Sequence, residues 1–164
     1  MPSREITRRT LLKSAAALGG AASRAGRLLA RMPNTAKSLA AYRAELAAKP
    51  IEEVKLTNLI TMFSGPGGNV VVRHGDFDKV VVDTFVQGAF PALKQRLDAM
   101  NNAPILYVIN TNWAFDHTDN NESFRKTGAE IVAHENTKRR MSEPHDLLGM
   151  HFAPAPQAAL PTQT

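Results

Sequence analysis

Apolar and polar positions change their period along the chain. From Val54 to Thr84 strand-forming residues dominate and are interrupted by turns. Leu56 to Phe63 reads as one strand, and Ser64-Gly65-Pro66-Gly67-Gly68 as a turn that no helix would accept. Asn69 to His74 reads as a second strand, Gly75-Asp76 as the start of a turn, and Lys79 to Thr84 as a third strand. Connections this short make the three strands antiparallel neighbours. The Val70-Val71-Val72 and Val80-Val81-Val82 triplets predict burial on both faces of the sheet.

The period then lengthens. Phe90, Leu93, Leu97 and Met100 recur at three and four residues, which predicts a helix from Ala89 to Met100 with its stripe inward. Ala103-Pro104 closes the connection, and Ile105 to Ile109 predicts a buried strand. Asp119-Asn120 is expected to cap a short helix through Lys126, with Gly128 at its end. Glu130 to His134 is the next strand. A β-meander followed by helix, strand, helix and strand is an α/β arrangement, with helices packed on a mixed sheet.

Outside this body the pattern weakens. Leu39, Tyr42 and Leu46 recur through alanine-rich residues 35–49, as in a short amphipathic helix ended by Lys49-Pro50. A solvated spacer fits that stretch equally well. His151 to Thr164 is rich in proline and alanine and is expected to be loosely ordered. The chain thus divides into a leader (1–30), a helical spacer (31–50), an α/β domain (51–150) and a tail (151–164).

Charge changes the picture once it is divided along the 164 residues. Residues 1–49 carry a net +8 and residues 50–164 a net −3, so the overall +5 belongs to the leader. A basic nucleic-acid groove in the body is therefore disfavoured. There is no cysteine, which removes disulfides, thiolate metal sites and thiol nucleophiles together. No stretch approaches the roughly 20 apolar residues of a membrane span.

In the leader, Arg8-Arg9 precedes Thr10-Leu11-Leu12-Lys13 and an uncharged, alanine-rich stretch from Ser14 to Ser23. An ordinary helix is a poorer reading, because Gly19-Gly20 interrupts it at about 1 kcal/mol each. An organelle transit peptide shares the Arg-rich, acid-poor composition. The paired arginines resemble a bacterial twin-arginine signal, which implies export machinery as a partner and a periplasmic destination.

The loop after the buried strand carries the chemistry. It reads Asn112-Trp113-Ala114-Phe115-Asp116-His117 and resembles the metal-binding loop of the metallo-β-lactamase-fold hydrolases, Thr-His-X-His-X-Asp-His. Val82-Asp83-Thr84 is similar to the end of that family's first sheet, whose aspartate lies beneath the metal site. Trp113, Phe115, Thr118-Asp119 and Ile131 to Thr137 are similar to its exported branches. The resemblance covers residues 54–141 and implies the first half of an αββα sandwich, with zinc as cofactor and hydrolysis of an ester, thioester or amide bond as activity.

The departures from that pattern alter the expectation. Asn112 and Ala114 stand where the family has its first two histidines, and neither replaces an imidazole at zinc. Asp116 and His117 match the aspartate and last histidine, which serve the second metal; a plain hydrogen-bonded pair is the stronger reading of the two residues, and Asp116 as a metal-free general base is the weakest alternative. The family's remaining ligands come from a second half, and the sequence reaches Thr164 where that half is expected to begin. The resemblance therefore implies a truncated, ligand-depleted chain without turnover and with weak zinc binding at most. The alternative is an exported interaction module that self-associates through an open sheet face.

Other chemistry-bearing residues carry bland expectations. His134 is expected to be a packed strand histidine, and His74, His145 and His151 to be exposed. Gly65-Pro66-Gly67-Gly68 lacks the lysine and following helix of a phosphate loop. Lys138-Arg139-Arg140 reads as a solvated helix end. Ser64, Ser123 and Ser142 lie in no nucleophile-elbow pattern.

Overall fold

The computed structural model describes residues 38–147 and 149–164. Arg8, Arg9, the leader and residues 31–37 of the spacer lie outside the described residues. Helix α1, Leu39–Ala47, begins at Ser38, whose hydroxyl accepts from the Ala41 N–H. Its alanines favour the helix, and Leu46 is its buried residue, so the spacer is helical where it is described.

Six strands form one sheet in the order of the sequence: β1 Glu52–Lys55, β2 Ile60–Ser64, β3 Asn69–His74, β4 Lys79–Val82, β5 Ile105–Asn110 and β6 Glu130–Ala133. The first four are antiparallel, whereas β4, β5 and β6 run parallel. Parallel pairing needs a crossover. Helix α2, Phe90–Met100, supplies the first, and α3, Phe115–Thr118, with α4, Asn121–Lys126, the second. Helix α5, Glu135–Met141, then leads into a small hairpin, β7 His145–Leu147 and β8 Met150–Phe152.

The strand expected from Leu56 to Phe63 is instead the second arm of a hairpin. The Thr57 hydroxyl accepts from the Leu59 and Ile60 N–H groups and folds residues 56–59 into a turn. The first arm, Glu52–Lys55, is too charged to announce itself as a strand, yet Val54 pairs with Met62 in register.

The valine triplets alternate rather than bury both faces. Val70, Val72 and Val81 are fully buried, whereas Val71, Val80 and Val82 are only partly so. The reason is one-sided packing. Phe63, Val70, Val72, Val81, Val108 and Ile131 from one face meet Leu93 and Leu97 of α2 and Phe124 of α4 in a single core. On that same face Lys79 is 1% exposed and donates from Nζ to the Asn101 and Ala103 carbonyls, which closes the end of α2.

The tail is ordered, contrary to expectation. A short 3-10 turn at Gln157–Ala159 buries Ala159, and Leu160 follows it inward. Thr162 and Gln163 then donate to the Ile131 carbonyl, and Val132 bridges Gln163 in parallel. An edge strand offers unpaired backbone groups, and the last residues satisfy those of β6. Proline content hid this, because a single bridge needs no strand-forming run.

His134 is not a core residue. It is exposed at the start of α5, where its Nδ1 accepts from the Asn136 N–H. His145 is half-buried in β7, stacked on Phe152 and edge-on to Trp113. His151 is exposed as expected, while His74 is half-buried with its Nε2 3.3 Å from the Thr61 hydroxyl.

Candidate metal loop

The loop lies at the carboxyl ends of β4 and β5, where parallel sheets tend to place their sites. Beyond Val82 the chain turns sharply, and Asp83 adopts φ 63°, in the left-handed region. Aspartate tolerates that conformation better than most residues. The turn directs a carboxylate that is 5% exposed under the loop. Its Oδ1 accepts from the Thr111 N–H at 2.9 Å, and its Oδ2 accepts from the Thr111 hydroxyl at 2.7 Å and from His117 Nδ1 at 2.8 Å.

Because a carboxylate only accepts, His117 carries its proton on Nδ1 and directs Nε2 toward Asp116, whose Oδ2 is 3.5 Å away. The hydrogen bond to Asp83 raises the imidazole pKa above its ordinary value; desolvation opposes this, and the charges of Asp83 and Asp116 add to it. The principal partner of His117 is thus Asp83, with Asp116 at the longer distance.

Asparagines hold the loop. Asn110 donates to the His117 carbonyl and exchanges two amide hydrogen bonds with Asn121, which also donates to the Ala159 carbonyl. The Asn120 amide reaches the carbonyls of Thr84, Phe85 and Val86 at 2.7, 3.1 and 2.9 Å. Asn120 does occupy the N-cap position of α4, but its side chain ties down the β4 exit instead of capping. Asp119 does not cap either. It accepts from Arg43 Nε, Arg43 Nη2 and the Gln87 N–H, which fastens α1 to the loop. Burial raises the Asp119 pKa, and the Arg43 hydrogen bond counters it.

The two positions where the resemblance leads one to expect histidine are bound up in local structure. Asn112 Oδ1 accepts from the Ala114 N–H at 2.7 Å, which closes a turn into α3. Ala114 has no donor atom to offer. Both oxygens of Asp83 are already engaged, so the outward-facing donors are Asp116 and His117 Nε2. Among the described residues no group of three or more His, Cys, Asp or Glu side chains could hold a metal ion. This donor set does not fit a catalytic zinc, which takes three protein ligands.

Asp116 faces a cleft of about 350 Å³ lined by Tyr42, Leu46, Lys49, the Gly65–Gly68 turn and Leu147. Gly67 has φ 92°, and a Cβ there would lie 2.9 Å from Asp116 Cβ, so glycine lets the turn approach the loop. The glycine-rich run is therefore a hairpin turn abutting the loop. His74, His134, His145 and His151 do not join Asp116 and His117 in a metal group. Thr111, Asn110, Asn121 and Arg43 were not singled out from sequence, and Asn120 was expected only as a helix cap; the signal available was a density of asparagines beside a buried strand.

The described fold is similar to that of solved metallo-β-lactamases. A metallo-β-lactamase from Cronobacter sakazakii described by a HARLDQ motif superposes with a TM-score of 0.60 at 15% identity, covering 79% of this chain and 48% of its own. A B3 metallo-β-lactamase with an active-site glutamic acid gives 0.55 at 20% identity, with 67% and 43% covered. The subclass B3 enzyme BJP-1 of Bradyrhizobium japonicum gives 0.53 at 22%, with 60% and 39% covered. No family model and no curated protein matches the chain. The described residues thus have the metallo-β-lactamase fold, and the chain spans less than half the length of these neighbours.

Proposed function

We propose that this chain is a ligand-depleted representative of the metallo-β-lactamase-type hydrolases, whose own residues do not sustain zinc-dependent cleavage of an ester, thioester or amide. The observation that supports this is the donor set of the loop: Asn112 and Ala114 at the two altered positions, with Asp116 and His117 facing outward. Two ligands hold a divalent ion weakly and leave too little charge focus to lower the pKa of a bound water to about 7. The Asp83–His117 contact is what a histidine ligand uses to fix its tautomer, so the loop keeps a ligand's support while lacking the rest of the shell.

The test is to purify the full chain, measure zinc by mass spectrometry, and assay β-lactam, thioester and aryl ester substrates with and without chelator. The expected result is substoichiometric zinc and no turnover above buffer. Chelator-sensitive hydrolysis by the wild-type chain would overturn the proposal.

We also propose export through Arg8-Arg9. Lysine lacks the planar fork of the guanidinium, so the paired change Arg8→Lys and Arg9→Lys should retain the protein in the cytoplasm. Unchanged export of that variant would defeat the twin-arginine reading. Among the described residues no helix is long and apolar enough to cross a membrane.

A further inference from the structure

Helix α1 does two things at once: it is fastened to the loop, and it walls the cleft at Asp116. Leu46 is the residue it buries. Tyr42 sets its ring 6.1 Å from that of Phe115. The Arg43 guanidinium lies 5.4 Å from the centre of the same ring and donates to both oxygens of Asp119, at 2.6 and 2.5 Å. That ion pair is sheltered, with side chains 24% and 10% exposed. Tyr42, Leu46 and Lys49 line the cleft at Asp116, whereas Leu39 and Arg43 line a second cavity of about 450 Å³; Phe115 lines both.

We propose that α1 is a latched lid on this cleft: it opens as a unit, the Arg43–Asp119 pair is its latch, and its opening sets how fast solutes reach Asp116. An isolated helix shorter than about 12–15 residues is marginal in water, so the nine residues of α1 depend on these contacts and release together. Opening leaves the rest of the loop standing. Asn110, Asn120 and Asn121 secure the loop to the β4 exit and to the tail through bonds that do not involve α1. Asp119 keeps the Gln87 N–H and meets water in place of Arg43, so no buried charge is stranded. Ile51 packs against the core and β1 starts at Glu52, which confines the motion to residues 48–50. Elements that gate a site are drawn from the less stable parts of a fold. Such a lid acts whether or not the loop binds zinc.

The test uses the full chain. Native-state hydrogen exchange in low urea should show the helical amides of α1, Tyr42 to Ala48, opening well before those of β3 and β5 and with little dependence on urea. The chain has no cysteine, so Ala114→Cys places one thiol in the cleft lining. With chelator present, a maleimide should label it more slowly than Phe77→Cys, at a turn position that is 89% exposed. Adding Arg43→Met keeps the aliphatic stem, removes the latch and leaves Asp119 unpaired beneath the closed helix. It should speed labelling of Ala114→Cys roughly tenfold or more, about the loss of one charge-assisted bond, and leave Phe77→Cys as it was. If Arg43→Met fails to fold, exchange in the wild type decides. Exchange of α1 with the same free energy and urea slope as β3 and β5 would overturn the proposal, because the helix would then open only when the whole fold does. Exchange at the rate of an unstructured chain would also overturn it, since the lid would never close. So would Ala114→Cys labelling as fast as Phe77→Cys with the latch intact, or labelling indifferent to Arg43→Met.

Discussion

Replacing Asp83 by alanine should be among the most damaging single changes in the loop, and its cost can be worked from the geometry. The change removes three hydrogen bonds to a carboxylate that is 5% exposed, from the Thr111 N–H, the Thr111 hydroxyl and His117 Nδ1. Bonds to charged groups contribute about 1.5–3 kcal/mol each when the freed partner stays buried. Here Thr111 is exposed and the His117 side chain is 25% exposed, so water reaches the freed donors and about 1 kcal/mol each is the better figure. Alanine at φ 63° adds about 1 kcal/mol of backbone cost. The total of about 4 kcal/mol corresponds to a fall in Tm of about 12 °C for a chain of this size. Asp83→Asn keeps the backbone tolerance and one acceptor, and the ring tautomer can switch to accept from the new amide, so about 1–2 kcal/mol is expected. Thermal melts and urea unfolding measure both variants, with circular dichroism following the sheet. Trp113, the only tryptophan, follows the loop by fluorescence. If Asp83→Ala melts within a degree or two of wild type, or Asn is as costly as Ala, the carboxylate does not hold this loop.

Three further outcomes follow from the same contacts. The folded-state pKa of His117 is raised above 6.5, so its ion pair with Asp83 stabilises fully below that value and the contribution fades as pH rises through the folded pKa. His117→Gln should therefore cost more at pH 5.5 than at pH 9 in parallel urea titrations, and the opposite trend would refute the assignment. Asn121 is fully buried and bonded to Asn110 and Ala159; Asn121→Ala should cost about 2–4 kcal/mol. It should also speed hydrogen exchange at the Thr162 and Gln163 amides, and unchanged exchange there would show that β6 holds the tail alone. Joint replacement Asn112→His and Ala114→His should raise zinc affinity by adding two imidazoles beside Asp116 and His117. Turnover is not expected to appear with it, and activity in that variant alone would identify the loop as the only defect.

What the sequence made legible follows the physics of each element. The strand Asn69–His74 and the helix through Leu93 and Leu97 were readable because strong local signals and tertiary burial agree there. The strand Glu52–Lys55 was not, since it is held by pairing with β2 and all its residues are exposed. The valine triplets misled because a run of β-branched residues does not reveal how many faces are covered. His134 misled because β6 ends one residue early, which turns a strand position into a helix cap. At the loop, Asp116 and His117 were found through a motif, and Asp83 was placed beneath them through the family's pattern. That Asp83 is the main partner of His117, 34 positions away in sequence, is a property of the β4 exit that periodicity does not encode.

The loop separates residues that could carry chemistry from residues that carry shape, and this separation leads to a last prediction. Asn112 occupies a position where a metal ligand is expected, yet its reach is local: one bond to the Ala114 N–H and a longer one to the Thr111 hydroxyl. Asn120, eight positions on, is 2% exposed and satisfies three carbonyls of the β4 exit, the segment that starts from the strained turn at Asp83. Removing Asn112 leaves an N–H that solvent can reach, so Asn112→Ala should cost no more than about 1 kcal/mol. Removing Asn120 leaves the buried Thr84 carbonyl without a donor and the Phe85 and Val86 carbonyls with one longer bond each, from the Thr84 hydroxyl at 3.5 Å and the Ala89 N–H at 3.2 Å, so Asn120→Ala should cost about 2 kcal/mol or more and disturb Asp83 and His117 together. The measurement is urea unfolding of both variants, with the imidazole resonances of His117 followed by NMR as a report on the site. Equal costs would mean that the turn at Asn112 also supports the fold. The predicted inequality would mean that the buried amide of Asn120 holds the shape of this loop, and that change at position 112 leaves that shape intact.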